Sequence, residues 1–403
     1  MSDPVLERTF HPIGQGAFYS ERYNEDQRAF NVVFDCGVDS VRDYHKAIVL
    51  DAFSKNDTID YLFISHLDSD HISLVKTLKD SVKRINNVVL PFIDDRSIRL
   101  LYSLSTISNT PDVSSFWEAV RNALTDEERD DNSPRFLFVM PVGMDYSPRE
   151  SPRMEYRPSG VSLASFAFQN TGTFWDYIPF CQHSERESEL DQKLTDLLQD
   201  SDFCSALKSL KIHCASLEDL KDTLASEKFA DMINNKLICK KLHKAYSSIS
   251  GSINQNSLLV YSGPDSTDDT FRMDSFHPHN CSLFSKYSFF SYFVDHISDR
   301  VACLYTGDSD LDMFFYKNHL NELWDNVGTI QLPHHGSHNS FKISYNRVKF
   351  NRPYLFPVSF GQKNHFHHPS GKVLSFLLRA GCMPVPVTDD YCSMFMQSIH
   401  LPD

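Results

Sequence analysis

Tyr61-Leu62-Phe63-Ile64-Ser65-His66-Leu67-Asp68-Ser69-Asp70-His71 is an apolar run that ends in two histidines and two carboxylates within six positions. The run reads as a buried strand, and Ile72, Val75, Leu78, Val82 and Ile85 beyond it recur at helical spacing. The polar cluster is therefore expected at a strand-to-helix turn. Turns at the carboxyl ends of strands are where α/β proteins place their chemistry. Alternation at the turn can aim His66 and Asp68 to one side and Asp70 and His71 to another. Two neighbouring metal pockets are the simplest use of such an arrangement, because imidazole and carboxylate are metal-binding groups. Taken alone, the stretch also reads as a solvated Asp/Ser loop with an incidental histidine pair.

A chain of 403 residues can bury a sizeable core, and one catalytic α/β domain carrying a cap is expected. The segment Met1 to Arg8 has no apolar signal region, and no apolar run approaches the length of a membrane span. A cytoplasmic protein with no membrane partner is the expectation. The nine cysteines are scattered without a Cys-x-x-Cys pair, which argues for buried thiols and against a disulfide framework or a thiolate zinc site. A formal net charge of −14 argues against coating of nucleic acid by bulk electrostatics, while leaving room for a local basic face.

Other strand ends repeat the theme. Gly14-Gln15-Gly16 marks a tight turn, and Phe30 to Phe34 forms a strand closed by Asp35-Cys36-Gly37; a hairpin across Ser20 to Gln27, expected at the edge of a sheet, joins the two. Asn87 to Phe92 reads as the next strand. Asp94 to Asp145 mixes helical patches with the acidic Thr125 to Asp131, expected as an exposed loop or helix end. Prolines and arginines from Pro148 to Pro158 are expected to break any regular element, and Val161 to Phe168 alternates as a strand. Leu190, Leu194, Leu197 and Leu198, then Leu217, Leu220 and Leu224, form helical stripes, and Ser216 with Asp219 marks a helix start. Residues 184–246 thus read as a helical insertion, packing over the sheet or offering a surface to a protein partner. It would divide the chain into 1–183, 184–246 and 247–403. Strands return at Asn254 to Tyr261, at Val301 to Tyr305 before Thr306-Gly307-Asp308, at Gly328 to Leu332 before His334-His335-Gly336-Ser337, and at Tyr354 to Phe360. A helix from Val373 to Ala380 is stopped by Gly381.

His66-Leu67-Asp68-Ser69-Asp70-His71, with Gly14-Gln15-Gly16, Asp35-Cys36-Gly37, Asn256-Ser257-Leu258, Thr306-Gly307-Asp308, His334-His335-Gly336-Ser337 and Ser359 through Asn364 to His368-Pro369, resembles the metallo-β-lactamase superfamily. Within it, the His-x-Asp-x-Asp-His pattern resembles the branch typified by the nuclease domain of the DNA-uptake protein ComEC, where most relatives carry His-x-His-x-Asp-His. The resemblance implies an αββα sandwich and two divalent ions, zinc or manganese. It implies that His66 and Asp68 bind one ion and Asp70 and His71 the other, with Asp308 bridging and His335 a further ligand. His334 is either a ligand or a substrate contact. Asp70, Asp308 and His334 would then carry the catalysis, with Asn256, Ser257, Ser337, Asn364 and His368 among the substrate contacts. The chemistry agrees: converging carboxylates repel without a cation, whereas two divalent ions neutralise them and leave positive charge for a phosphate. The activity implied is phosphodiester hydrolysis. Ile72-Ser73-Leu74 departs from the glycine pair that often follows the last histidine, and Ala17 from the acid that often follows Gly-Gln-Gly.

Between Asn326 and Thr388 there is no Asp or Glu. The same window holds Lys342, Arg347, Lys349, Arg352, Lys363, Lys372 and Arg379 with histidines 334, 335, 338, 365, 367 and 368. A locally positive wall beside the metals would guide a polyanion, which makes DNA the expected substrate and Lys342 a further contact; alternatively these bases pair with acids elsewhere. Tyr345, Phe350, Tyr354 and Phe366 could stack on bases or fill a core. Small phosphodiesters, such as a cyclic nucleotide or a choline phosphate ester, are the alternative substrates. A partner-controlled interaction subunit is the third reading. By analogy, a stand-alone chain of this sort suits regulated bacterial antiviral defence or DNA processing.

Overall fold

The computed structural model describes residues 5–25, 28–107, 111–125, 133–144, 151–167, 174–183, 189–248, 256–267, 271–278, 296–310, 312–340, 350 and 352–401. Among them the strands form two sheets. The first runs β1 (Leu6–Phe10), β2 (Gly16–Glu25), β3 (Arg28–Val38), β4 (Thr58–Phe63), β5 (Arg84–Pro91), β6 (Arg135–Met140) and β7 (Met154–Pro158). It is extended beyond β1 by β16 (Phe395–His400) and β11 (Arg272–Phe276). The second has the order β15 (Met383–Val387), β14 (Leu355–Ser359), β13 (Val327–Ile330), β12 (Ala302–Tyr305), β10 (Asn256–Pro264), β9 (Phe174–His183) and β8 (Ala164–Ala167).

Alternation on the strands decides the layers. Tyr19, Phe34 and Phe63 of the first sheet face Tyr177, Val260 and Tyr305 of the second in a buried inter-sheet core, where the Phe34 and Tyr305 rings stack at 14°. Val33, Leu62 and Val88 point the other way, beneath helices α3 (Val75–Ser81), α4 (Asp95–Thr106) and α5 (Pro111–Thr125). On the far side of the second sheet, Leu304, Ile330 and Phe356 pack under α11 (Met313–Leu320) and α12 (Gly371–Arg379). The order is helix, sheet, sheet, helix.

Between β9 and β10 run α6 (Glu189–Gln199), α7 (Ser201–Ser209), α8 (Leu217–Leu224), α9 (Lys228–Asn234) and α10 (Lys236–Ser247). Their leucine stripes, Leu190, Leu194, Leu197, Leu220 and Leu224, are buried in the same core as α4 and α5, so these helices thicken one helix layer. Ser216 and Asp219 form the expected capping box of α8. No helix among the described residues is long and apolar enough to cross a membrane.

Three local expectations are corrected. The hairpin expected at the edge of a sheet has both its strands, β2 and β3, inside the first sheet, because β1, β16 and β11 add on beyond β2. The helix expected to run on to Ile85 is short: α2 (Ser69–Ile72) and α3 are separated by Ser73 and Leu74, Val82 caps α3 in extended geometry, and Ile85 belongs to β5. Apolar spacing continues across the break because both elements face one core. The stretch from Pro148 to Pro158, expected to be irregular, ends in β7, an edge strand that tolerates a terminal proline. The span from Asp94 to Asp145 that composition left unplaced holds α4, α5 and β6; most of Thr125 to Asp131 lies outside the described residues.

Candidate metal centre

Parallel pairing sets where the functional residues emerge. β3, β4 and β5 run parallel, as do β12, β13 and β14. Asp35 lies in β3 just past its last pairing with β4, while the chain leaves β4 at Ser65 and His66, β12 at Asp308 and β13 at His334 and His335. Leu258 N–H donates to the Ser65 carbonyl at 2.7 Å, tying the two sheets together at this rim.

The turn after β4 fits only because of glycine. A Cβ on Gly37 would lie 2.5 Å from the carbonyl carbon of His71 and the nitrogen of Ile72. One on Gly16 would lie 2.9 Å from the Asp70 carbonyl oxygen. These glycines let β2 and β3 press against the turn that carries the ligands. Asp35, His334 and His335 have φ of 54°, 48° and 53°, left-handed conformations that cost on the order of 1–3 kcal/mol each and persist where contacts over-determine them. Here those contacts are His334 N–H to Gly307 O at 3.0 Å and Ser337 N–H to His334 O at 2.8 Å. Gln331 adds more, its Oε1 accepting from the Thr306 and Gly307 N–H groups, both at 2.8 Å.

Among the described residues, three His/Asp groups have ligand atoms mutually within 4.8 Å: His66 with His71 and Asp308, Asp70 with His71 and His335, and His66 with Asp68 and Asp70. His66 Nε2 is 3.5 Å from both Asp68 Oδ2 and Asp308 Oδ2. His71 Nε2 is 3.5 Å from Asp308 Oδ1, and His335 Nε2 is 3.2 Å from Asp70 Oδ2. His334 Nε2 stands 3.5 Å from Asp308 Oδ2, on a ring that keeps 30% of its surface exposed. Every expected ligand is therefore at one place. The grouping is tighter than two separate pairs, since His71 is shared with Asp308 and His66, and Asp70 also reaches His66 and Asp68.

The far ring nitrogens are held from behind. His71 Nδ1–H donates to Asp35 Oδ2 at 2.9 Å, while Asp35 accepts from Ser65 N–H and Ser65 O–H, each at 2.7 Å. His335 Nδ1–H donates to Ser359 O at 2.8 Å. These bonds fix the tautomers that turn the Nε2 lone pairs toward the cluster. Motif matching brought Asp35 in without a role; the signal that would have assigned one is an acid ending the strand beside β4. Ser359 entered in the same way, and Ser65 and Gln331 left no comparable mark in the sequence.

The ionisation pattern is that of a site short of positive charge. Burial would lower His71, but Asp35 and Asp70 outweigh it and push the ring up to about 9. Burial opposes ionisation of Asp70 and Asp308, yet the surrounding imidazoles hold both carboxylates well below their usual range. His334 and His368 are lowered mainly by burial, His368 to about 4. His66 Nε2, His71 Nε2 and Asp308 Oδ1 are buried and make no hydrogen bond. Leaving each so costs about 1–3 kcal/mol, and divalent cations would satisfy all three. The donor set, imidazole with carboxylate and no thiolate, suits zinc or manganese.

The expected substrate contacts scatter more. Asn256 Nδ2 donates to Phe92 O at 2.8 Å, and Asn256 and Ser257 open β10 behind the rim. Ser337 is buried directly after the histidine turn. Asn364 spends its amide inside its own loop, donating to Gly361 O and His368 O at 2.7 Å and accepting from His368 N–H at 2.9 Å. His368 lies beside the cluster, its ring centroid 5.6 Å from that of His334. Lys342, Arg347, Lys349 and Tyr345 lie outside the described residues. Of the other bases in the acid-free window, Arg352 pairs with Asp325 at 2.9 Å, whereas Lys363, Lys372 and Arg379 are exposed.

Residues 26–83, from the β2–β3 hairpin through the His66 to His71 turn to the end of α3, match the family model described as Metallo-beta-lactamase superfamily. The helix, sheet, sheet, helix order is consistent with the αββα sandwich of that superfamily. No curated protein matches the chain. Among solved structures, unliganded yeast PDE1 is similar at 9% identity over 95% of this chain and 87% of that one, with a TM-score of 0.30. The metallo-beta-lactamase SMB-1, bound to 2-mercaptoethanesulfonate, is similar at 11% identity over 61% of this chain and 95% of that one, with a TM-score of 0.20.

Proposed function

We propose that the chain, whose residues 26–83 match the metallo-β-lactamase superfamily model, is a metal-dependent phosphodiesterase that cleaves DNA. The observation that carries the reading is the convergence of His66, Asp68, Asp70, His71, Asp308 and His335 around three buried donors without hydrogen bonds. His66, His71 and Asp308 would form one donor set and Asp70 with His335 the other, Asp68 lying beside both. Two divalent ions there would polarise a phosphoryl oxygen and make water nucleophilic at neutral pH. Asp35 and the Ser359 carbonyl hold the His71 and His335 rings in register. His334 is the partly exposed ring at the rim, with Nδ1 3.0 Å from Ser340 Oγ. With Ser340 O–H donating to Nδ1, the proton resides on Nε2, from which it can hydrogen-bond a phosphoryl oxygen of a bound ester.

Support for a polyanion comes from the loop after β14, where Lys363, His365 and His367 are exposed on the same loop that sets His368 beside the cluster, and residues 361–370 contain no acid. The ComEC-like assignment belongs to this proposal through the Asp68 position, which makes the site rich in hard oxygen. A cytoplasmic setting suits the eight free cysteines of the described residues. The test is incubation of linear and circular DNA with manganese or zinc, comparing wild type with Asp70→Ala. Metal-dependent cleavage abolished in the variant is expected. Intact DNA alongside hydrolysis of a chromogenic phosphodiester would move the assignment to small esters.

A further inference from the structure

We propose that the loop spanning residues 361–370 carries a nucleobase subsite, with the face of Phe366 as its platform. The inference rests on the phosphodiesterase reading and specifies what that site takes beside the scissile phosphate: a nucleotide with its base, gripped by stacking.

Of the aromatics in the acid-free window, Phe350 and Tyr354 pack into the outer core under α12. Phe366 does not: it is 43% exposed. Its ring is 5.8 Å from that of His368 at an interplanar angle of 27°, and the His368 ring is 5.6 Å from that of His334. His334 in turn reaches Asp308 at 3.5 Å. A row of three rings therefore leads from solvent to the ligand cluster.

A lone surface phenylalanine on a loose loop would mean little. This loop is pinned at both ends and in the middle. Gly361 N–H meets Gln15 Oε1 at 3.4 Å, next to the glycine that packs on Asp70, and Gln362 N–H donates to Asp389 Oδ1 at 3.0 Å. Asn364 ties Gly361 to His368, and Ser370 N–H donates to Gly336 O at 3.0 Å, directly behind the catalytic histidine turn. The platform is thus ordered before a ligand arrives, which lowers the entropy cost of binding. Lys363, His365 and His367 flank it with exposed nitrogens suited to the phosphates on either side of a stacked base.

The test uses manganese-loaded protein and two single-stranded oligonucleotides, identical except that one carries abasic sugars in place of nucleosides around the cleaved bond. Phe366→Ala should raise KM for the base-bearing strand by roughly 5- to 100-fold, the usual worth of a stacked base, and leave the abasic strand unchanged. Phe366→Trp should restore the base-bearing KM. Equal KM for wild type and Phe366→Ala on the base-bearing strand, or equal losses on both strands, would overturn the subsite while leaving the phosphodiesterase assignment standing. Wild-type protein that cuts neither strand would overturn both.

Discussion

Replacing Asp35 by asparagine keeps an acceptor for the Ser65 N–H but puts an amide against His71 Nδ1, where a carboxylate oxygen now accepts at 2.9 Å. The ring loses the bond that fixes its tautomer, so metal affinity should fall by about 10- to 100-fold, with the urea midpoint near that of wild type. Competition titration against a chelating dye reads this directly. His11 gives a prediction remote from the metals. Its ring is buried against Phe18 and bonded to Ser20 at 2.8 Å, and burial lowers its pKa to about 3. The unfolded chain then binds more protons below about pH 6.5, so stability falls as pH drops through that value toward the folded pKa. Between pH 7 and pH 5 this one group should cost about 2 kcal/mol. His11→Gln should lose less stability than wild type over the same interval in urea titrations; equal losses would contradict the assignment.

The element that decides the site is the short turn between β4 and α3, and its tolerance for change is set by neighbours. Gly37→Ala would drive a methyl to 2.5 Å from the His71 backbone. The turn must move, and a destabilisation of about 1–3 kcal/mol is expected, together with weakened metal binding that a remote glycine substitution such as Gly143→Ala would not cause. Matched urea and metal titrations of the two variants check it. Much of this element was legible in the sequence, because a buried strand ending in His66, Asp68, Asp70 and His71 leaves few structural uses for those groups. What sequence could not show was the close approach of Gly16 and Gly37, or the role of Asp35. Both arise from chain segments brought side by side by parallel pairing of β3 with β4. The helix drawn on to Ile85 failed for a related reason: apolar spacing reports which face is buried, not where one element stops and the next begins. β11 and β16 went unread because their partners lie far away in the chain, β1 for β16 and β16 for β11.

At the scale of the molecule, the two sheets are joined by a buried polar network as well as by the aromatic core. Arg8 Nε donates to Glu21 Oε1 at 2.6 Å with both side chains fully buried. Tyr177, Ser262 and Tyr305 of the second sheet donate to the Glu21 carboxylate at 2.8, 2.6 and 3.0 Å. Glu21→Ala would strand the Arg8 charge and should destabilise the fold by about 3–5 kcal/mol, read as a shift in the urea midpoint. The sandwich this network holds exists to bring the strand ends of both sheets to one rim, and the claim that matters most is that this rim holds divalent metal for phosphodiester cleavage. The direct measurement is metal content by mass spectrometry, alongside DNA cleavage, on the same preparations of wild type and Asp308→Ala. The account predicts two ions per wild-type chain, fewer in the variant, and cleavage that tracks metal content. DNA left uncut by the fully loaded wild type, or cut equally well by metal-stripped protein, would contradict it.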